Sequence, residues 1–398
     1  MTKRITTDLD EAAALIKSGE LVAVPTETVY GLAGNGLDEA AVEQIYEVKG
    51  RPAVKPLSLM VSGPEAMERC CADVPRAAYV LAERFWPGPL TIVLTAREVV
   101  PEIVRAGGAT VGLRCPDHPA TQTLLRLAGV PFAAPSANPS GEPSPKTADE
   151  VLRYFDEKIA AVVDGGPCGL GTESTIVDLS RTPYRILRQG ALAENAVWDA
   201  LTDHMQVIGI TGGTGCGKTT ALNVLKGYGA LVLDCDAVYH ELLNTSADLL
   251  YEIDERFPGV VVDGQLERKR LGEIVFHDAD ALSALNAITH RYITREIRSR
   301  LRAWAREGGM LAALDAVALI ESGAAELCDT VYGVTAPRAE RIRRIMAREG
   351  IPEDYAAARV DAQKSAEWYA EHCDQILENN GTLEAFEELC RKKMEVKR

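Results

Sequence analysis

Residues 212–219 run Gly-Gly-Thr-Gly-Cys-Gly-Lys-Thr, a fit to G-x-x-x-x-G-K-[ST], between the β-branched run QVIGIT and the helical stretch ALNVLKGYG. Backbone N–H groups freed by Gly212, Gly213, Gly215 and Gly217 can turn onto phosphate oxygens, so the segment from Gly212 through Cys216 to Thr220 is expected to bind ATP. Lys218 would reach the β and γ phosphates, and the Thr219 hydroxyl would hold Mg²⁺. The following strand ends in LDCDAVYHEL. Asp234 and Asp236, two apart on a strand, are expected to point the same way at the carboxyl end of the sheet, where one carboxylate can deprotonate an attacking hydroxyl. The bland alternative is a turn or helix cap. Farther on, PRAERIRRIMAREG places Arg341, Arg344 and Arg348 on one helical face, with Arg338 before them. Such a run is either a solvated basic face or a lid that closes over a phosphoryl group.

The first half carries a second set of chemistry-bearing residues: PTETVYGL, KGRPAVKPLS, GLRCPDHP, PSANPSGEPSPKT and GTESTIVDL. Lys49, Arg51 and Lys55 place three cations within seven residues, and Ser136, Asn138 and Ser174 add hydroxyl and amide groups suited to an acyl or phosphate ligand. Thr26, Thr28 and Tyr30 share one face of an extended segment. His118 is either a base or a loop brace.

These groups need two scaffolds. The chain has 398 residues, long for one core. The first half mixes strands (LVAVP, PLTIVLTA, TVGLRC, and STIVDLS with YRILRQG as a closing pair) with helices such as DEAAVEQIYEVKG and HPATQTLLRLAG. From residue 205 the pattern alternates strand and helix as in a parallel sheet: QVIGIT, ALVLD, MLAALD, TVYGVTA, then a helical remainder. The expected fold class is α/β throughout: a domain over residues 1–192 with a twisted mixed sheet, a linker over 193–204, and a phosphate-loop domain over 205–398 with a parallel sheet and helical lid. The formal charge of −15 argues against a broad nucleic-acid footprint, so no stable nucleic-acid binding is expected. The basic end Arg391, Lys392, Lys393, Lys397 and Arg398 reads as a solvated helix end. Nine cysteines without a C-x-x-C spacing point to reduced, buried thiols. With neither a signal-peptide core nor a spanning run, a cytoplasmic protein without membrane attachment is expected.

In the second half, ITGGTGCGKTT, LDCDAVYHEL, LNAITHRYI, LDAVALIESG, the arginine run, ARVDAQ and ILENNGTLE follow the order and spacing of dephospho-CoA kinases. The resemblance spans about residues 206–390. It implies transfer of the ATP γ-phosphate to the ribose 3′-hydroxyl of dephospho-CoA. It assigns Asp236 as general base, Lys218 and Arg344 as catalytic cations with Arg344 on the lid, Asn379 as an adenine-side contact, and His290 as the family histidine. The chain departs from the family at Val317 and Ala318 in the D-x-P-L-L-x-E segment, at Arg291 in place of a proline, and at Tyr369 in place of a basic residue.

The first-half motifs, P-T-E-T-x-Y-G-L, Lys49 with Arg51, Ser136 with Asn138, and S-T-I-V-D from Ser174, resemble the YrdC-like threonylcarbamoyl-AMP synthases over about residues 5–192. That family implies L-threonine, bicarbonate and ATP as substrates, with Mg²⁺, and threonylcarbamoyl-adenylate and pyrophosphate as products, feeding t6A modification of tRNA. By resemblance Thr28, His118 and Ser174 lie on the threonine side. Lys49, Arg51, Lys55, Arg114, Ser136, Asn138, Lys146 and Arg188 lie on the ATP side. Met60 stands where some members have a polar residue. The two resemblances together imply a bifunctional enzyme, with tRNA-modification proteins as downstream partners of the first half.

Overall fold

The computed structural model describes residues 1–396; Lys397 and Arg398 of the basic end lie outside the described residues. The chain divides into two compact units, Met1–Asp203 with Arg306–Gly308, and His204–Ala305 with the chain from Gly309 on.

The first unit is built on ten strands: β1 (Lys3–Ile5), β2 (Val22–Val24), β3 (Gly31–Asn35), β4 (Ser58–Met60), β5 (Leu90–Thr95), β6 (Thr110–Arg114), β7 (Phe132–Ala133), β8 (Ala161–Val163), β9 (Thr175–Asp178) and β10 (Arg185–Arg188). Their order is β1-β8-β2-β3-β7-β4-β6-β5-β9-β10, with parallel and antiparallel neighbours mixed, and β9 and β10 form the expected antiparallel pair. β2 is buried throughout and stops just before Pro25, which has no N–H to continue a ladder. The chain then leaves the sheet as a loop, and this loop carries Thr26, Glu27 and Thr28. The helix Glu39–Lys49 starts at Asp38, whose carboxylate accepts from Ala40 N at 3.0 Å, and stops at Gly50 in the left-handed region (φ 57°). The helix Pro119–Ala128 starts from His118 with Pro119 in its first turn. Val22, Val24, Ala33, Leu124, Phe132 and Val163 pack in one core, where each large apolar side chain contributes about 1.5–3 kcal/mol. The segment expected as a linker forms the helix Glu194–Asp203, which packs on Arg76–Phe85 and buries Trp198.

The second unit holds β11 (Gln206–Thr211), β12 (Leu231–Asp234), the small hairpin β13 (Val261–Val262) with β14 (Gln265–Leu266), β15 (Leu311–Asp315), β16 (Thr330–Thr335) and β17 (Gln375–Glu378). The sheet runs β12-β15-β11-β16-β17, and every pairing is parallel. β11 is buried along its whole length, as a central strand covered on both faces must be. Leu222 and Leu225 of the helix Lys218–Gly227 and Phe386 of Leu383–Lys393 pack against Ile208, Ile210, Val334 and Leu377. A second cluster, including Leu249, Ile253, Phe257 and Ile288, joins the helix Ala247–Arg256 to the 28-residue helix Ala279–Arg306.

Two expectations change. The remainder after TVYGVTA is not wholly helical: Gln375–Glu378 adds an edge strand that pairs Thr335 with Glu378. The run is too short, and too polar at its ends, to stand out by periodicity. β12 ends at Asp234 and the helix Cys235–Thr245 begins at once, so Asp234 and Asp236 do not alternate along a strand. Asp234 caps the helix instead, accepting from Asp236 N at 2.9 Å and Ala237 N at 3.0 Å.

All nine cysteines are free. No helix among the described residues is long and apolar enough to cross a membrane.

Candidate active sites

In the first unit, strand ends and loops enclose a cavity of about 300 Å³ walled by Arg51, Arg114 and Arg188 with Ser136, Ser174, Thr91 and Glu173, over apolar Val29, Met60 and Ile176. Arg188, closing β10, donates from Nε and Nη2 to the Ser174 carbonyl at 3.1 and 2.8 Å. The Ser174 hydroxyl meets that of Thr91 at 2.8 Å. Burial holds the Arg188 guanidinium below its ordinary range; Glu173 opposes that shift and the neighbouring Arg114 adds to it. Arg51 is also lowered by burial and donates to the carbonyls of Lys55 and Pro56 at 3.2 and 2.8 Å. Three guanidinium groups around one small cavity repel one another unless an anion enters, and they offer an anion forked donors.

The expected residues divide between wall and support. Arg51, Arg114, Ser136, Ser174 and Arg188 are walls. Lys49 is not: it is 3% exposed, and its ammonium donates to the carbonyls of Ser136 and Asn138. Burial, helped by Arg51, lowers Lys49 to about 7. Its sequence position beside Arg51 suggests a phosphate cation, but here it clamps the Ser136–Asn138 loop. Asn138 braces the same loop, donating to the carbonyls of Pro139 and Glu142 at 3.0 and 2.6 Å. The Thr28 hydroxyl accepts from Arg114 Nη2 at 2.7 Å and pairs with that of Thr26 at 2.9 Å. His118 packs its ring on Gly165, where an added Cβ would lie 2.6 Å from Cε1. Its Nδ1 is buried without a partner, and burial lowers its pKa. Lys55 and Lys146 are exposed and line no part of the cavity.

In the second unit the phosphate loop needs its glycines twice over. Gly217 has φ 107°, and a Cβ there would sit 2.3 Å from Asn379 Nδ2; one on Gly213 would sit 2.2 Å from Arg341 Nη2. Lys218 Nζ donates to the Gly212 carbonyl at 2.9 Å, folded back over the loop. Thr219 and Thr220 open the helix Lys218–Gly227, whose N-terminus carries the partial positive charge of the aligned peptide dipoles.

The segment expected as a lid forms the helices Arg338–Glu349 and Glu353–Asp361, packed through Ile342, Ile345, Ala356 and Val360. Its arginines separate by function. Arg341 Nε donates to the Thr214 carbonyl at 3.0 Å and Arg344 Nη1 to that of Gly215 at 3.2 Å. Arg338 pairs with Asp361 at 2.7 Å and Arg348 with Glu349 at 2.6 Å, both at the surface. Asn379 joins this contact, donating to the Cys216 carbonyl at 2.8 Å and accepting from Arg344 at 3.4 Å. Gln363 accepts from Thr214 N and donates to the Thr214 hydroxyl, each at 2.9 Å.

Asp236 lines a neighbouring cleft of about 180 Å³ with His290, Asn286, Thr289 and Thr294. Burial pushes its carboxyl up, Asp234 adds to the rise, and His240 and Lys218 oppose it. That is the direction a general base at neutral pH requires. Asp315, the first residue of the D-x-P-L-L-x-E segment, to which the sequence alone gives no role, ends β15 beside this site. It is in register with Asp234, and its Oδ1 is buried without a hydrogen-bond partner. Burial raises its pKa and the charge of Lys218 lowers it. The departures from the family pattern are accommodated. Val317 contributes its carbonyl to Thr211 at 3.0 Å, Ala318 lines the Asp236 cleft, Arg291 pairs with Glu252 at the surface, and Tyr369 is buried.

Comparison with known proteins separates the same two parts. A family model described as Telomere recombination, for Sua5, YciO and YrdC, matches residues 14–190, and one described as Dephospho-CoA kinase matches residues 206–385. The first part is 49% identical over 181 residues to a threonylcarbamoyl-AMP synthase of Pyrococcus abyssi, covering 46% of this chain and 53% of that protein. It is 35% identical to a Mycobacterium tuberculosis protein provisionally named for the same synthase, covering 48% of this chain and 87% of the relative. The second part is 38% identical over 185 residues to a dephospho-CoA kinase of Thermobifida fusca, covering 46% of this chain and 92% of that enzyme. The chain spans about half the length of the Pyrococcus abyssi and Bacillus subtilis synthases it matches, 53% and 54%.

Proposed function

Because the chain joins a member of the Sua5, YciO and YrdC family to a member of the dephospho-CoA kinase family, we propose that it is a bifunctional enzyme: a threonylcarbamoyl-AMP synthase and a dephospho-CoA kinase. The observation that carries the reading is that one chain holds two separate phosphate sites, the arginine-walled cavity and the glycine loop, each with its own polar cleft.

In the first unit, the threonine amine adds to the carbon of bicarbonate, a C–O bond breaks and water leaves, and an oxygen of the resulting carbamate attacks the ATP α-phosphorus. The new O–P bond forms as the bond to the bridging oxygen breaks, and pyrophosphate leaves with the electron pair. Two anions must be brought together, and Arg51, Arg114 and Arg188 supply the screening where the charge gathers. Ser136 and Ser174 offer hydrogen bonds at the cavity wall. The adenylate then passes to an enzyme that transfers the threonylcarbamoyl group to tRNA.

In the second unit, the ribose 3′-hydroxyl of dephospho-CoA enters the cleft beside Asp236, which takes its proton as the oxygen attacks the γ-phosphorus of ATP. The phosphate loop and Lys218 hold the β and γ phosphates. Arg341 and Arg344 donate to carbonyls of the glycine loop, and in this reading they turn onto the transferring group when the nucleotide arrives.

A magnesium ion fits this second site. The Thr219 hydroxyl and the unpartnered Asp315 Oδ1 are hard oxygen donors, and this ion commonly takes one or two carboxylates with phosphate oxygens. When bound, it would neutralise charge on the β and γ oxygens. Among the described residues no group of three or more His, Cys, Asp or Glu forms a closed metal cage. Nine free, largely buried cysteines suit a reducing compartment, and we place the enzyme in the cytoplasm.

Two assays on the full chain test the reading. Pyrophosphate should be released from ATP only when threonine and bicarbonate are both present, and ADP should form only with dephospho-CoA. Threonine-independent pyrophosphate release, or ATP binding without ADP formation, would reject the corresponding half.

A further inference from the structure

Arg114 is the most enclosed of the three guanidinium groups in the first cavity, with its side chain 8% exposed. A charge that deep is costly unless an opposite charge and hydrogen bonds meet it. Glu27, which stands between Thr26 and Thr28 in the loop after β2, meets it. Its Oε1 accepts from Arg114 Nη2 at 2.7 Å, while its Oε2 accepts from Asp117 N at 3.0 Å. The carboxylate is 13% exposed and is held at both oxygens. The backbone behind it is fixed as well, since its carbonyl accepts from Leu170 N at 2.8 Å. Arg114 Nη2 is shared with the Thr28 hydroxyl at 2.7 Å. Arg114 Nε is buried, lacks a protein partner, and belongs to a side chain that walls the cavity. Thus Glu27 occupies one donor of the fork and leaves another uncommitted.

We infer that Glu27 is a positioning residue for the synthase reaction: its carboxylate holds the Arg114 guanidinium against repulsion from Arg188 and keeps it at the cavity wall, where it meets an anionic substrate. The inference rests on the proposed synthase function for the identity of that anion, ATP. Glu27 itself touches no reacting atom. Its charge matters because Arg114 and Arg188 lie close enough to perturb each other, and without a fixed counter-charge the more enclosed guanidinium would swing toward solvent or toward the Ser174 carbonyl.

The test is a double-mutant cycle in the full chain carrying Lys218→Ala and Gly217→Ala, which together weaken ATP at the second site, so that ATP titrated calorimetrically reports the first cavity. Glu27→Gln keeps the length and one acceptor but removes the charge. It should weaken ATP binding, and raise KM for ATP in the pyrophosphate assay, by roughly tenfold or more, the scale of a hydrogen bond to a charged group. kcat should fall by less than KM rises. In an Arg114→Gln background the same substitution should have almost no further effect, because the residue acts through Arg114. Equal penalties in both backgrounds would overturn the inference, as would unchanged ATP binding in the single variant. Glu27→Asp, which restores the charge one methylene shorter, should recover part of the affinity; a general folding defect would not be rescued in this way. Wild-type chain that binds ATP through Glu27 and Arg114 yet releases no pyrophosphate would reject the synthase reading and leave the positioning role standing.

Discussion

In the proposed function the first unit would meet phosphate with side chains, and the second with backbone. In the first cavity Arg114 is buried while Arg51 and Arg188 stand at the rim, and the three cations must be held apart and aimed by carbonyls and by Glu27. In the second, Gly212, Gly215 and Gly217 adopt positive φ and shape the backbone of the loop, with one lysine and a helix N-terminus adding charge. A side-chain site can be retuned residue by residue. A backbone site tolerates little change, because any added Cβ strikes a neighbour.

That contrast can be broken in several ways, from a large effect to a small one. Lys218→Ala should lower phosphoryl transfer to dephospho-CoA by about a thousandfold, a scale typical of losing a cation on the transferring group, while threonine-dependent pyrophosphate release is unchanged. Parallel loss of both rates would show that the sites are not separate. Gly217→Ala should weaken ATP binding at the second site by about 30- to 150-fold, roughly 2–3 kcal/mol, since it forces a left-handed alanine into Asn379. Calorimetry on a chain whose first site is disabled by Arg188→Ala would measure it, and a loss under threefold would contradict the geometry. Arg188→Lys, in contrast, keeps the charge and gives up one of two bonds to the Ser174 carbonyl. Its KM for ATP in pyrophosphate release should rise by only about tenfold. If this variant were as damaged as Gly217→Ala, the side-chain site would be no more adjustable than the backbone one.

The smallest effect is in pH. Asp236 must be ionised to accept a proton, and burial followed by Asp234 raises its pKa. Kinase kcat should therefore fall as pH drops through a value above the ordinary carboxylate range. Asp234→Asn removes the like charge and still caps the helix, so the acid limb should move down by a fraction of a unit. An unmoved limb in a pH–rate profile would detach Asp234 from the titration.

Much of this was legible from the chain alone where one residue type forces one geometry. Pro25 ends β2, Gly50 ends its helix, and the glycine loop follows a buried strand. What was not legible depends on where side chains turn after folding. Lys49 and Arg51 are equivalent in sequence as cations of one K-x-R pair, yet Arg51 walls the cavity and Lys49 clamps a loop, because Lys49 ends a helix on its buried side. Asp234 reads as a strand-end carboxylate until the helix starts one residue later. Asp315 and Glu27 both lie inside motifs visible in the sequence, but their pairings are not visible there: Asp315 meets Asp234 through register between strands about eighty positions apart, and Glu27 meets an arginine eighty-seven positions away.

The paired hydrogen bonds between Gln363 and Thr214, one to the amide and one to the hydroxyl, have a thermodynamic meaning. The Thr214 amide is tied to a side chain that follows the lid helices, with no loop carbonyl as its partner. Its deuterium uptake therefore gauges the release of Gln363: the amide stays protected while Gln363 is docked and exchanges when it departs. A single peptide spanning the loop would report the free energy of releasing Gln363, without substrate or mutation.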